Sequence, residues 1–83
     1  MVIEYKASVQ KDLRRLDSPQ ALRVLAAIER ALKTQGRSGE PLSGPFAGLF
    51  KLRVGDYRVI YARTESRYLV LRIAHRREVY RGR

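Results

Sequence analysis

Eight side chains in the second half of the chain are the material from which a reactive site could be built: Lys51, Arg53, Tyr57, Arg58, His75, Arg76, Arg77 and Tyr80. All are basic or aromatic. Such a set suits the cleavage of RNA by its own ribose, which needs no bound metal. The 2′-hydroxyl must lose a proton, the charge building on the phosphorus centre must be stabilised, and the departing 5′-oxygen must gain a proton. Clustered arginines supply a fixed positive field. A lysine, histidine or tyrosine among cations has its pKa drawn downward, towards values useful for proton transfer. Tyrosine rings stack on splayed bases.

Other chemistries find little to work with. There is no cysteine, which excludes disulfides, thiolate nucleophiles and zinc–thiolate centres. His75 is the single histidine, so a multi-histidine metal site cannot form. The acids Glu4, Asp12, Asp17, Glu29, Glu40, Asp56, Glu65 and Glu78 are scattered without ligand spacing. No phosphate-binding loop, dinucleotide fingerprint or nucleophile elbow is present. The expectation is an activity without metal or cofactor.

Charge narrows the partner. The chain of 83 residues has 18 Lys and Arg against 8 acids, a net charge of +10. Fourteen of those cations are arginine, which favours bidentate phosphate contacts over mere solubility. Nucleic acid is the first polyanion this implies, and an acidic protein the second. The competing reading is a solubilising surface or a compositional bias. The length fits one domain, residues 1–83, with one thin core. No apolar run is long enough for a membrane span, and Met1–Tyr5 lacks the regions of a signal peptide, so a cytoplasmic protein is expected.

The elements that must position these residues follow from periodicity. Val2 to Tyr5 reads as a strand. Ser8 can cap a short helix with Val9, Leu13 and Leu16 on one face. Ser18 and Pro19 open a second helix running to Gln35, with Ala21, Leu25, Ile28 and Leu32 as its apolar stripe and Gly36 as its cap. Arg14, Arg15, Arg23 and Arg30 read as helix-surface charge. Gly36 to Gly48 reads as a loop. Leu49 to Val54 alternates, with Phe50, Leu52 and Val54 on one face and Lys51 and Arg53 on the other. Gly55-Asp56 is a tight turn, Tyr57 to Thr64 a strand, and Glu65-Ser66-Arg67 a second turn. Tyr68 to Ala74 is the last strand, with Leu69, Leu71 and Ile73 sharing a face. Tyr57 and Tyr61 share a face suited to packing. The order β-α-α-β-β-β predicts an α+β, two-layer fold with a helical hairpin on one face of an antiparallel sheet and a basic, partly bare opposite face.

Three segments carry a family resemblance: Leu42-Ser43-Gly44-Pro45-Phe46, then Leu49 to Tyr61, then Ile73 to Tyr80. In this order and spacing they resemble the RelE/ParE toxin superfamily, and the strand and helix pair before them fit the same fold. The resemblance implies a toxin with a cognate antitoxin, in a toxin–antitoxin hetero-oligomer. Its RelE branch cleaves ribosome-bound messenger RNA without a metal. Carried onto this chain, it implies Lys51 as a catalytic lysine, Arg58 as a phosphate-binding arginine, Arg76 as a transition-state arginine and Tyr80 as a substrate-orienting tyrosine. His75 falls where relatives have histidine or lysine. Arg53, Arg77 and Tyr57 are the further RNA contacts. Two departures stand out: Leu49 replaces a second lysine, for which His75 or Tyr80 is the candidate substitute in proton transfer, and only Arg81-Gly82-Arg83 follows Tyr80. The rival readings are a ParE-like DNA gyrase inhibitor and a catalytically silent RNA-binding module.

Overall fold

The computed structural model describes residues 2–34 and 39–75. They form strand β1 (Val2–Tyr5), helices α1 (Ala7–Arg14) and α2 (Ser18–Glu29), and strands β2 (Glu40–Pro41), β3 (Leu49–Val54), β4 (Tyr57–Arg63) and β5 (Arg67–His75). The sheet has five strands in the order β1-β5-β4-β3-β2. Both helices supply core residues against one face of it. The expected α+β architecture is present, with two differences in the sheet. The segment read as a loop contains β2, which pairs Glu40 with Lys51 and Pro41 with Phe50. And β1 runs parallel to β5, while the other pairings are antiparallel. A parallel pair requires a long crossover, and the chain from β1 to β5, which runs through both helices and β2 to β4, supplies one.

The helices start differently from the sequence reading. Asp17, not Ser18, caps α2: its carboxylate accepts from the Gln20 N–H at 3.0 Å, and Ser18 and Pro19 are already inside. Lys6 holds the cap position of α1 without a side-chain bond. Ser8 sits inside that helix, and its hydroxyl donates to the Leu71 carbonyl at 2.9 Å. The stripe of α2 is turned from the expected one. Val24 and Ile28 are buried, whereas Ala21 and Leu25 are only partly covered. A wider π-helical turn, Arg30–Thr34, follows, with Ala31 and Leu32 buried. The expected helix end at Gln35 and cap at Gly36 lie outside the described residues.

Register sorts the sheet. Phe50, Leu52 and Val54 of β3 lie opposite Tyr61, Val59 and Tyr57 of β4, and all join or adjoin the core. A register shift at Ile60/Tyr61 skips Leu71, so Ile60 pairs with Arg72 and Tyr61 with Val70. This corrects the reading of β5. Tyr68, Val70 and Ile73 face the core, while Leu69 pairs with Ala62 on the outer face.

Side-chain bonds tie the layers together. Beyond Val70 no β1 residue pairs with β5, and α1 covers that stretch of edge: Asp12 accepts from the Ile73 N–H at 2.9 Å and from Arg72 Nε at 3.1 Å. Tyr61, at 1% exposure, stacks on Phe50 and meets Tyr68 edge-on, and its hydroxyl accepts from the Gly39 N–H at 2.8 Å. Gly39 passes so close to β3 that an added Cβ would stand 2.5 Å from the Lys51 carbonyl oxygen. No described helix is long and apolar enough to cross a membrane.

Two outcomes follow. Gly39→Ala is expected to push β2 off β3 and cost about 1–3 kcal/mol in urea unfolding. Tyr5 has a buried hydroxyl without a hydrogen-bond partner among the described residues, and burial, then the Glu29 carboxylate, raise its pKa above 10.0. A raised folded pKa gives stability that is complete below the unfolded value and is lost as pH rises through the folded one. Tyr5→Phe should therefore match or exceed the wild type at neutral pH and lose less stability at high pH, as read by pH-dependent denaturation.

Candidate functional site

The outer face of the β3–β4 hairpin gathers the cations. Lys51 and Arg53 alternate with the buried Leu52 and Val54, so both point away from the core. Arg53 lies directly opposite Arg58 in the register. Arg53 is exposed, Arg58 is buried at 9% exposure, and the Lys51 side chain is 34% exposed. Two arginines directly across a strand pair concentrate positive charge on this face. A guanidinium screened from water also acts more strongly on an anion than a solvated one. This face can therefore hold a phosphate.

Among the described residues, one acid belongs to the same place. Glu40 pairs with Lys51 in the register, and its carboxylate lies 3.9 Å from Lys51 Nζ. The sequence reading missed it, because a two-residue strand in a glycine-rich stretch has no periodicity to find.

His75 and Tyr57 are placed elsewhere. They pair with each other across β4 and β5, on the side of the sheet that carries the core. The rings meet edge-on with centroids 5.4 Å apart, and the Tyr57 hydroxyl accepts from Gln20 Nε2 at 3.1 Å. The grouping of His75 with Lys51 and Arg58, and of Tyr57 with the RNA contacts, is thus not what the register gives: the sheet stands between them. Arg76, Arg77 and Tyr80 lie outside the described residues. A cavity of about 290 Å³ between α2 and the Gly55-Asp56 turn, lined by Gln20, Arg23, Val24, Val54 and Tyr57 among others, is also on the helix side and apart from the cations. Among the described residues no three His, Asp or Glu side chains gather as a metal site would require.

Comparison with known proteins adds the following. Residues 3–80 match the family model described as the ParE toxin of the type II toxin–antitoxin system, parDE. The chain is 31% identical to Toxin RelG of Mycobacterium tuberculosis, over 95% of this chain and 94% of that protein. Among solved structures it is similar to the toxin–antitoxin complex RelBE2 from Mycobacterium tuberculosis, with 26% identity, 89% of this chain and 95% of the other covered, and a TM-score of 0.71. The isolated Escherichia coli RelE toxin shares the fold at 17% identity and a TM-score of 0.61, covering 98% of this chain and 92% of the other.

The separation of the two faces has a measurable consequence. Arg53→Ala should weaken binding to poly(U) and reduce the slope of log K against log salt by about 0.7, the loss of one phosphate contact to a single strand. Tyr57→Phe, on the opposite face, should leave both quantities unchanged.

Proposed function

Because the chain belongs to the ParE toxin family of type II toxin–antitoxin systems, we propose that it is a toxin whose basic sheet face grips messenger RNA in the ribosome and cleaves it. A cognate antitoxin is its partner. The observation that carries this reading is the placement of Lys51, Arg53 and Arg58 on one face, with Arg53 and Arg58 directly opposed.

In this mechanism the scissile phosphate rests on Arg58, flanked by Arg53. The 2′-oxygen gives up its proton and attacks phosphorus. The bond from phosphorus to the 5′-oxygen breaks, and that oxygen takes a proton. The products carry a 2′,3′-cyclic phosphate and a 5′-hydroxyl. The Glu40 carboxylate and the Lys51 ammonium, 3.9 Å apart, form an acid–base pair on the same face: Glu40 accepts the 2′ proton and Lys51 supplies the other. This fills the place left by Leu49, where relatives of the RelE type have a second lysine. Arg76 and Tyr80 complete the grip in the proposal, as the family resemblance implies. His75, packed against Tyr57, orients the end of β5 from which Arg76 follows.

A second reading keeps the fold and changes the target. The matched family carries the ParE name and Leu49 breaks the lysine pair, both of which favour a gyrase inhibitor. Assays of DNA supercoiling and of message integrity separate the two.

Purified protein should cut ribosome-bound message in the presence of EDTA, leaving the two ends named above. Arg58→Ala is expected to slow the cut by about 10²–10³-fold. Glu40→Gln should slow it by about 10²–10⁴-fold while binding poly(U) at least as tightly as the wild type, since an anion has been removed. Intact message together with inhibited supercoiling would overturn the nuclease reading.

A further inference from the structure

The cavity behind the hairpin has no part in the outer-face chemistry. It is a slot of about 290 Å³ between the two layers. Ligand sites begin near about 300 Å³, so this one suits a single ring system rather than a whole cofactor. One wall is α2, which supplies Gln20, Arg23, Val24 and Ala27. The other is the tip of the β3–β4 hairpin, Val54 to Tyr57. Val24 and Ala27 from one wall and Val54 from the other give aliphatic surfaces on which the faces of a flat ring can rest.

The polar groups around this lining are not used up by the fold. Arg23 and Asp56, opposite in charge, make no side-chain ion pair or hydrogen bond among the described residues. Tyr57 is 8% exposed, and its hydroxyl accepts from Gln20 Nε2 at 3.1 Å, which leaves its own proton to donate.

These groups define a ligand by complement. Arg23 offers a fork of donors, suited to two adjacent acceptors. Asp56 offers two acceptor oxygens, suited to two adjacent donors. A simple anion such as phosphate would satisfy Arg23 and be repelled by Asp56. Among the nucleic acid bases guanine alone carries both edges: O6 beside N7, and N1–H beside the 2-amino group. A strand of RNA seated on Lys51, Arg53 and Arg58 has the sheet between it and the slot. The ligand is therefore free in solution.

We propose that the slot between α2 and the Gly55-Asp56 turn binds a free guanine nucleoside or nucleotide. Its ring lies against Val24, Ala27 and Val54, its O6–N7 edge faces Arg23, and its N1–N2 edge faces Asp56. This site goes beyond the nuclease reading and does not depend on it. The two faces of the hairpin can be occupied together, one by phosphate and one by this base.

Guanosine is the probe, because it carries no phosphate for the outer face to attract. On titration, amide chemical shifts should move at Val24, Ala27 and the Gly55-Asp56 turn. The affinity should exceed that for adenosine by about tenfold or more, the worth of one bidentate pair. Inosine, which lacks the 2-amino group, should fall between them. Arg23→Gln and Asp56→Asn should each weaken guanosine binding by about tenfold. Both should leave poly(U) binding within about twofold, which also shows that the variants are folded. Equal binding of the three nucleosides overturns the proposal, as does a guanosine affinity that survives both substitutions. Shifts confined to the outer face, or none near the solubility limit of guanosine, overturn it too. A uridine oligomer bearing one guanine that displaces guanosine as well as guanosine itself does would make the slot part of an RNA path and overturn the assignment to a free ligand.

Discussion

A strand sends alternate side chains to opposite faces, and among the described residues the helices cover one face of this sheet. That constraint decides the rest of the molecule. Once Val59 and Tyr61 are committed to the core at 0% and 1% exposure, Arg58 and Ile60 have no choice but the outer face. Pairing then transmits the assignment outward: Leu52 follows Val59, which sends Lys51 and Arg53 to join Arg58. A slip of one residue in this pairing would bury the cations and expose the core. The register is therefore held by burial of Leu52, Val54, Val59 and Tyr61, and the cationic face is a by-product of that burial.

The same logic fixes what the two faces can do. The core side concentrates rings, with Tyr61 between Phe50 and Tyr68 and with Tyr57 against His75. The outer side concentrates charge and short aliphatic groups. Two side chains of α1 close the exposed stretch of β5: Ser8 takes the Leu71 carbonyl, and Asp12 takes the Ile73 amide and Arg72. Gly39 lets β2 approach β3 closely enough to bring Glu40 beside Lys51. The α1 contacts join residues far apart in sequence and place polar groups along the stretch of β5 that β1 does not cover.

How far the sequence could be read follows from whether the relevant physics is local. The β3–β4 hairpin was legible because alternation and a Gly-Asp turn are properties of adjacent residues, and so the cations on the Lys51 face were legible too. The α2 stripe is right at Ile28 and Leu32, which are buried, but not at its start: Leu25 is a stronger apolar signal than Val24, yet packing chose Val24. The last strand was misread for a related reason. Leu69, Leu71 and Ile73 keep perfect alternation, but the register shift at Ile60/Tyr61 breaks it, and nothing in β5 itself announces a shift set by its neighbour. The parallel pairing of β1, the two residues of β2 and the true partners of Ser8 and Asp12 are all long-range facts. The placement of His75 is one as well. As a lone histidine beside arginines it looked like part of their cluster, and only the pairing with Tyr57 shows which side of the sheet it occupies.

In the proposed function nucleic acid meets the outer face through Lys51, Arg53 and Arg58. Amide chemical shifts of the protein titrated with a short RNA, 2′-deoxy at the scissile ribose so that it cannot be cut, test this most directly. The expected result is a set of perturbations at residues 51, 53 and 58 and their outer-face neighbours, with Val24, Ile28 and the Gln20–Tyr57 contact unmoved. Perturbations confined to the helices and the Tyr57–His75 side would contradict it.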